Sequence, residues 1–225
     1  MSNRPGTLSM PHPSATPAAR WRAAVQRVLM HAWARPVAFV LMCSPLAWLI
    51  WAVFMDQLGA NPAEALIRSL GDWTLRSLVL VMSVTPLRVG LGLPVLARWR
   101  RILGLFVFFY ASLHLTAYAW FDMGFYWSEV MADVAQRPFI LVGMLSWSLL
   151  LLMALTSFNR AIRWLGAARW RLLHRAVYAV CVLGVVHFFW MRAGKNDFTE
   201  VAIYAGVLAV LLGWRAWRGI CSARA

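Results

Sequence analysis

Apolar residues fall into six long runs separated by short polar stretches, at roughly residues 36–55, 70–89, 101–121, 138–157, 171–190 and 199–217. Each run is close to the ~20 residues an α-helix needs to cross ~30 Å of hydrocarbon. The pattern predicts an all-α integral membrane protein, a six-transmembrane-helix bundle. Little chain is left between the runs, so there is no room for a soluble catalytic domain, and chemistry in an aqueous compartment falls to a partner. The composition agrees: 62% of the 225 residues are hydrophobic and 13% charged.

Charge then orients the runs. The formal net charge is +14. Arg20, Arg22, Arg27 and Arg35 precede the first run, and Arg88, Arg98, Arg100 and Arg101 lie between the second and third. Arg160, Arg163, Arg169, Arg171 and Arg175 surround the link from the fourth to the fifth, and Arg215, Arg218 and Arg224 close the chain. The positive-inside rule puts these stretches, and both termini, in the cytoplasm. All eight carboxylates, Asp56, Glu64, Asp72, Asp122, Glu129, Asp133, Asp197 and Glu200, fall in or beside the opposite loops. Cationic charge placed this way sets topology. It forms no basic stripe on a soluble surface, which argues against nucleic-acid binding.

The ends and the cysteines add little chemistry. Residues 1–30, opening with MSNRPGTLSMPHPSATPAAR, read as a disordered cytosolic tail without the apolar core of a signal peptide, and residues 219–225 as a short cytosolic tail. Cys43, Cys181 and Cys221 lack CxxC spacing, so neither a disulfide nor a zinc or iron–sulfur site is expected. Most of the fourteen tryptophans sit near run ends, as an interfacial aromatic belt.

Three histidines do carry chemistry: His114 in RRILGLFVFFYASLHLTAYAWF, and His174 and His187 in RWRLLHRAVYAVCVLGVVHFFW. An ionisable ring inside a membrane span is a functional candidate by default. Measured from Arg101 and Arg171 at 1.5 Å per residue, His114 lies ~20 Å from the cytosolic boundary, His187 ~24 Å and His174 ~5 Å. His114 and His187 therefore share a level near the outward face, as axial ligands of one b-type haem between the third and fifth spans. Their second ring nitrogens should donate to a carbonyl or hydroxyl, with Ser112, Thr116 and Tyr118 nearby. His174 points ~140° away from His187 around the helix. Thirteen residues before His114 stands Arg101 rather than a histidine, so a second, inner haem at His174 stays open for want of a partner. Rings that only hydrogen-bond across helices are the alternative for each. His12 and His31 read as solvated. Asp72 and Arg76, four apart, can pair, and Arg76 stands where outer haem propionates would lie or snorkels to the interface. On the cytosolic side Arg101, with Arg100, Arg169 and Arg175, is a candidate anion contact for a propionate, a flavin phosphate or a quinone headgroup.

The stretches RRILGLFVFFYASLHLTAY, RPFILVGMLSWSLLLLMALTS and RWRLLHRAVYAVCVLGVVHFFW, with SPLAWLIWAV and SVTPLR, closely resemble the MsrQ (YedZ) family of haem-binding membrane subunits. More distantly the chain is similar to the transmembrane domains of ferric reductases and NADPH oxidases, whose third and fifth helices ligate haem. The resemblance implies a ferric reductase-like transmembrane domain over residues 31–218. It implies electron transfer from the quinone pool to a periplasmic molybdopterin-containing methionine sulfoxide reductase that repairs oxidised envelope proteins. It also implies haem b at His114, His174 and His187, and FMN at a site no motif identifies. The alternatives are a ferric or oxygen reductase-type cytochrome fed by a cytosolic flavoprotein such as a flavin reductase, and a haem-free proton-coupled transporter.

Overall fold

The computed structural model describes residues 16–194 and 196–223. Among these, the elements are α1 (Pro17–Met30), α2 (Ala34–Phe54), α3 (Pro62–Gly90), a 3₁₀ turn (Pro94–Trp99), α4 (Arg100–Phe121), α5 (Trp127–Gln136), α6 (Pro138–Leu155), α7 (Asn159–His174), α8 (Ala176–Ala193) and α9 (Thr199–Ala223).

Five helical stretches are long and apolar enough to cross a membrane: 34–54, 94–121, 138–155, 159–193 and 199–221. The chain is a multi-pass membrane protein. Large apolar side chains stand exposed on the outer faces of α2, α6 and α9, as lipid contact requires. The expected second span is the exception to the six-run reading. It is a 29-residue helix, α3, but Asp72, Arg76 and several Ser and Thr dilute its apolar content. Many of its apolar residues face protein instead, with Ile67, Leu70, Leu75, Leu78, Met82 and Val84 buried, while Leu80, Leu87 and Val89 stand exposed.

Three further stretches differ from the sequence reading. Residues 17–30, assigned to the tail on composition, form α1, whose N-cap Thr16 accepts from the amide of Ala19 at 3.3 Å. Residues 1–15, with His12, lie outside the described residues. The link before α6 contains the short amphipathic α5. The arginine-rich link before α8 is helical too, broken at Gly166, whose φ of +73° only glycine adopts without strain.

Two prolines sit inside helices, and each frees the carbonyl four residues back. Pro45 frees that of Leu41, which accepts from Ser44 Oγ at 2.9 Å. Pro86 frees that of Met82, which accepts from Arg215 Nη2 of α9 at 2.5 Å. In hydrocarbon such groups must be satisfied from within the protein.

The helices pack as two antiparallel pairs, α3 with α4 and α6 with α8, and α9 lies against α3 and α8. One apolar cluster joins both pairs through Leu78, Met82, Val107, Leu150, Met153, Val180, Cys181 and Leu208. A second joins α2 to the first pair through Leu49, Ile67, Leu70, Phe106 and Tyr110. All three cysteines are free.

Candidate functional site

His114 and His187 come together in the cleft between the two pairs. Their ring centroids are 6.2 Å apart and their planes nearly perpendicular, at 82°. His114 Nδ1 is 2.8 Å from the carbonyl oxygen of Ile67 on α3, and His187 Nδ1 is 2.6 Å from that of Phe139 on α6. Each ring is thus braced by a backbone carbonyl of its own partner helix. A carbonyl only accepts, so Nδ1 carries the proton and Nε2 keeps its lone pair for a ligand.

Glycines make room for both rings. A Cβ at Gly71 would meet His114 Cε1 and Nδ1 at 3.3 Å, and one at Gly143 would meet His187 Cε1 at 2.9 Å and Nδ1 at 3.0 Å. The cavity around the rings is walled by Ile67, Leu75, Leu78, Ala111, Ile140, Leu150, Gly184 and Phe188. Its rim is polar, with Arg68, Asp72, Tyr118, Asp122, Arg137 and Arg192. Arg68 pairs with Glu64, Arg137 with Asp133, and Arg192 with Glu200, also reaching Asp197 at 3.4 Å. Tyr118 donates to Asp133 Oδ2 at 2.5 Å, which fastens α5 over the end of α4. Just past α4, burial raises the Asp122 carboxyl above its ordinary range and nearby Asp133 adds to this, against the pull of Arg137.

These residues fit an iron porphyrin. Two metal–nitrogen bonds of about 2 Å, with the near half of an imidazole at each end, span about 6 Å between ring centres. Among the described residues no group of three or more His, Cys, Asp or Glu could hold a metal ion. Two imidazoles facing one cavity suit a metal whose other ligands come from a macrocycle. The small residues Gly71, Ala111, Gly143 and Gly184 leave space beside the rings, and the rim arginines are of the charge that propionates need.

The other candidates lie elsewhere. His174 ends α7, with its ring on Trp170 at 4.1 Å between centroids and Nε2 3.3 Å from Thr156 Oγ1. The ring it meets is an indole, not a second imidazole. Arg76 lies over the Trp73 ring and its Nε donates to Tyr204 at 3.3 Å. It does not line the cavity and makes no ion pair with Asp72. Arg101 donates to Asn159 Oδ1 at 2.8 Å, tying α4 to α7. Of the expected hydroxyl partners, Ser112 accepts from Trp147 Nε1 at 3.0 Å, Tyr118 serves Asp133, and Thr116 faces a separate apolar groove. Sequence reasoning missed Gly71, Gly143, Arg68, Arg137 and Arg192. The signal for the first two was glycine inside an apolar helix, where it is unfavourable without a packing reason.

The family description "Ferric reductase like transmembrane component" matches residues 70–185. A Polaromonas naphthalenivorans protein named protein-methionine-sulfoxide reductase heme-binding subunit MsrQ is 55% identical over 206 residues, 92% of this chain and 94% of its own length. Proteins of the same name from Bordetella parapertussis and Xanthomonas campestris pv. campestris are 47% and 43% identical. The first match covers 84% of this chain and 93% of the relative, the second 80% and 82%. No solved structure matches the chain.

Proposed function

We propose, from the premise that this chain belongs to the MsrQ family of ferric reductase-like membrane proteins, that it is a haem b electron-transfer subunit. It takes electrons from the quinone pool or a flavin donor on the cytoplasmic side of the bacterial inner membrane. It delivers them to a periplasmic, molybdopterin-dependent methionine sulfoxide reductase. In this reading α3 is a sixth span, both termini are cytoplasmic, and the haem lies between α4 and α8.

The observation that carries the proposal is the His114–His187 pair, 6.2 Å between ring centres with each Nδ1 held by a backbone carbonyl. A haem held by His114 and His187 would supply one-electron chemistry, and two histidine ligands would favour electron transfer over oxygen activation. The protein holds the two imidazoles in fixed orientation through Ile67 and Phe139 and excludes water with the apolar wall. It offers Arg68, Arg137 and Arg192 to the carboxylates at the rim. The surface open to a partner on that side is the short segment around α5 and the α8–α9 link, which suits a small, transient interface.

The test is reoxidation. Purified haem-loaded protein, reduced anaerobically, is mixed with a periplasmic methionine sulfoxide reductase catalytic subunit and a methionine sulfoxide peptide. Rapid return of the oxidised Soret spectrum, dependent on both additions, is expected. A haem that stays reduced with both present would overturn the proposal, and reoxidation by ferric chelates alone would favour the metal reductase reading.

A further inference from the structure

At the end of the bundle away from the histidine pair, three helices bring cationic groups together with no acid among them. Arg88 is in the last turn of α3, Arg100 opens α4, and Arg215 lies near the end of α9. Arg100 is within electrostatic reach of Arg88 and of Arg215, and Tyr178 of α8 is near both Arg100 and Arg215. Among the described residues none of the three has a carboxylate within salt-bridge distance. The chain's acids stand at the opposite ends of these helices. Like charges this close, partly withdrawn from water, repel.

A second observation comes from hydrogen bonding. Among the described residues, Arg88 Nε and Trp99 Nε1 are buried donors without an acceptor. Trp99 is only 9% exposed and immediately precedes Arg100, on a 3₁₀ turn that packs against α3. Buried N–H groups are nearly always paired, so two orphans at one corner ask for an acceptor from outside the chain. Arg215 is held in place by its bonds to the carbonyls of Leu211 and Met82. Tyr178 also hydrogen-bonds it, but among the described residues no carboxylate pairs with its charge.

We propose that Arg88, Trp99, Arg100 and Arg215 form a binding site for the phosphate group of an anionic ligand. A phosphate brings both what the cations lack and what the orphan donors lack. Basic pockets between helices at the level of lipid headgroups take anionic phospholipids, which makes a headgroup the source this position favours. A nucleotide phosphate has the same chemistry.

The experiment uses haem-loaded, full-length protein, delipidated in detergent and titrated with dioleoylphosphatidylglycerol, dioleoylphosphatidylcholine or flavin mononucleotide. Bound ligand is counted by native mass spectrometry, and an unchanged Soret spectrum checks the fold of each variant. Phosphatidylglycerol should bind more tightly than phosphatidylcholine. Arg88→Gln and Arg100→Gln should each weaken it about tenfold, and Trp99→Phe, which removes the N–H and trims the indole to a phenyl ring, about threefold. Arg163→Gln, an equal charge loss at an exposed position of α7, should change nothing. The same sensitivity for flavin mononucleotide but not for phosphatidylglycerol would keep the phosphate site and overturn the lipid source. Binding indifferent to Arg88 and Trp99, or weakened as much by Arg163→Gln, would overturn the site itself.

Discussion

Gly143→Ala is the sharpest probe of the histidine pair because it adds one methyl group and nothing else. The new Cβ would stand 2.9 Å from His187 Cε1 and 3.0 Å from Nδ1, where carbon contacts settle at about 3.5 Å or more. The ring must retreat by about half an ångström, which is the tolerance of a working ligand constellation. Retreat also strains the 2.6 Å contact between His187 Nδ1 and the Phe139 carbonyl. Disturbing such an outer contact typically lowers metal affinity by about 10–100-fold, the loss expected here. Gly71→Ala, with its contact at 3.3 Å, asks for a shift of a few tenths of an ångström and should lose less than about tenfold. Gly104→Ala on α4 meets nothing within 4 Å and should keep full haem content. Alanine favours a helix over glycine by about 1 kcal/mol, so a general loss of fold cannot produce this order. The assay is the haem-to-protein ratio after purification, with the rate of haem transfer to apomyoglobin and the low-spin electron paramagnetic resonance signal. Gly143→Ala with wild-type values in all three would refute the placement of His187 as a ligand against α6.

Three further outcomes are expected. His114→Ala and His187→Ala should each abolish the low-spin spectrum of the haem they share, whereas His174→Ala should leave it intact. A full low-spin signal in either of the first two would end the pairing. Arg215→Met should lower thermal stability by about 1–3 kcal/mol by stranding the Met82 carbonyl, and adding Pro86→Ala should recover much of that by restoring the helical N–H; an additive double variant contradicts this role for Arg215. Arg137→Gln removes a positive charge from the cavity rim and should lower the haem midpoint potential by about 30–60 mV, worth about 1 kcal/mol; redox titration showing no shift, or a rise, would separate Arg137 from the haem.

Much of this was legible in the sequence because helix rise and hydropathy are one-dimensional rules. Depth along a helix needs only a count from a charged boundary, and that count put His114 and His187 at one level. Partners across helices are a different matter. Which side of α3 faces α4 depends on packing, and a backbone carbonyl has no sequence signature, so Ile67 and Phe139 could not be picked out and the nearby hydroxyls of Ser112, Thr116 and Tyr118 drew attention instead. Arg76 and Asp72 show the same limit: i, i+4 spacing permits a pair, yet Arg76 turns to Trp73 and Tyr204 while Asp72 faces the cavity. Hydropathy marked residues 70–89 as a span, yet its polar residues leave α3 outside the stretches apolar enough to cross a membrane on composition alone. A helix enclosed by protein can carry polar residues that a lipid-facing one cannot, and it no longer resembles a span in composition. The misreading lies at residues 17–30, where a Pro- and Ala-containing stretch read as a tail forms a capped helix.

Each histidine of the pair sits on one helix pair and is braced by that pair: His114 by Ile67 within α3 and α4, His187 by Phe139 within α6 and α8. An iron atom bonded to both would add a coordinate link between two hairpins that otherwise meet through a shared apolar cluster and the Trp147–Ser112 hydrogen bond. Cofactor supply would then act as an assembly checkpoint. Chains made during haem shortage would hold two hairpins without that link, more exposed to membrane proteolysis, and the abundance of the subunit would follow the cell's haem status without any dedicated sensor.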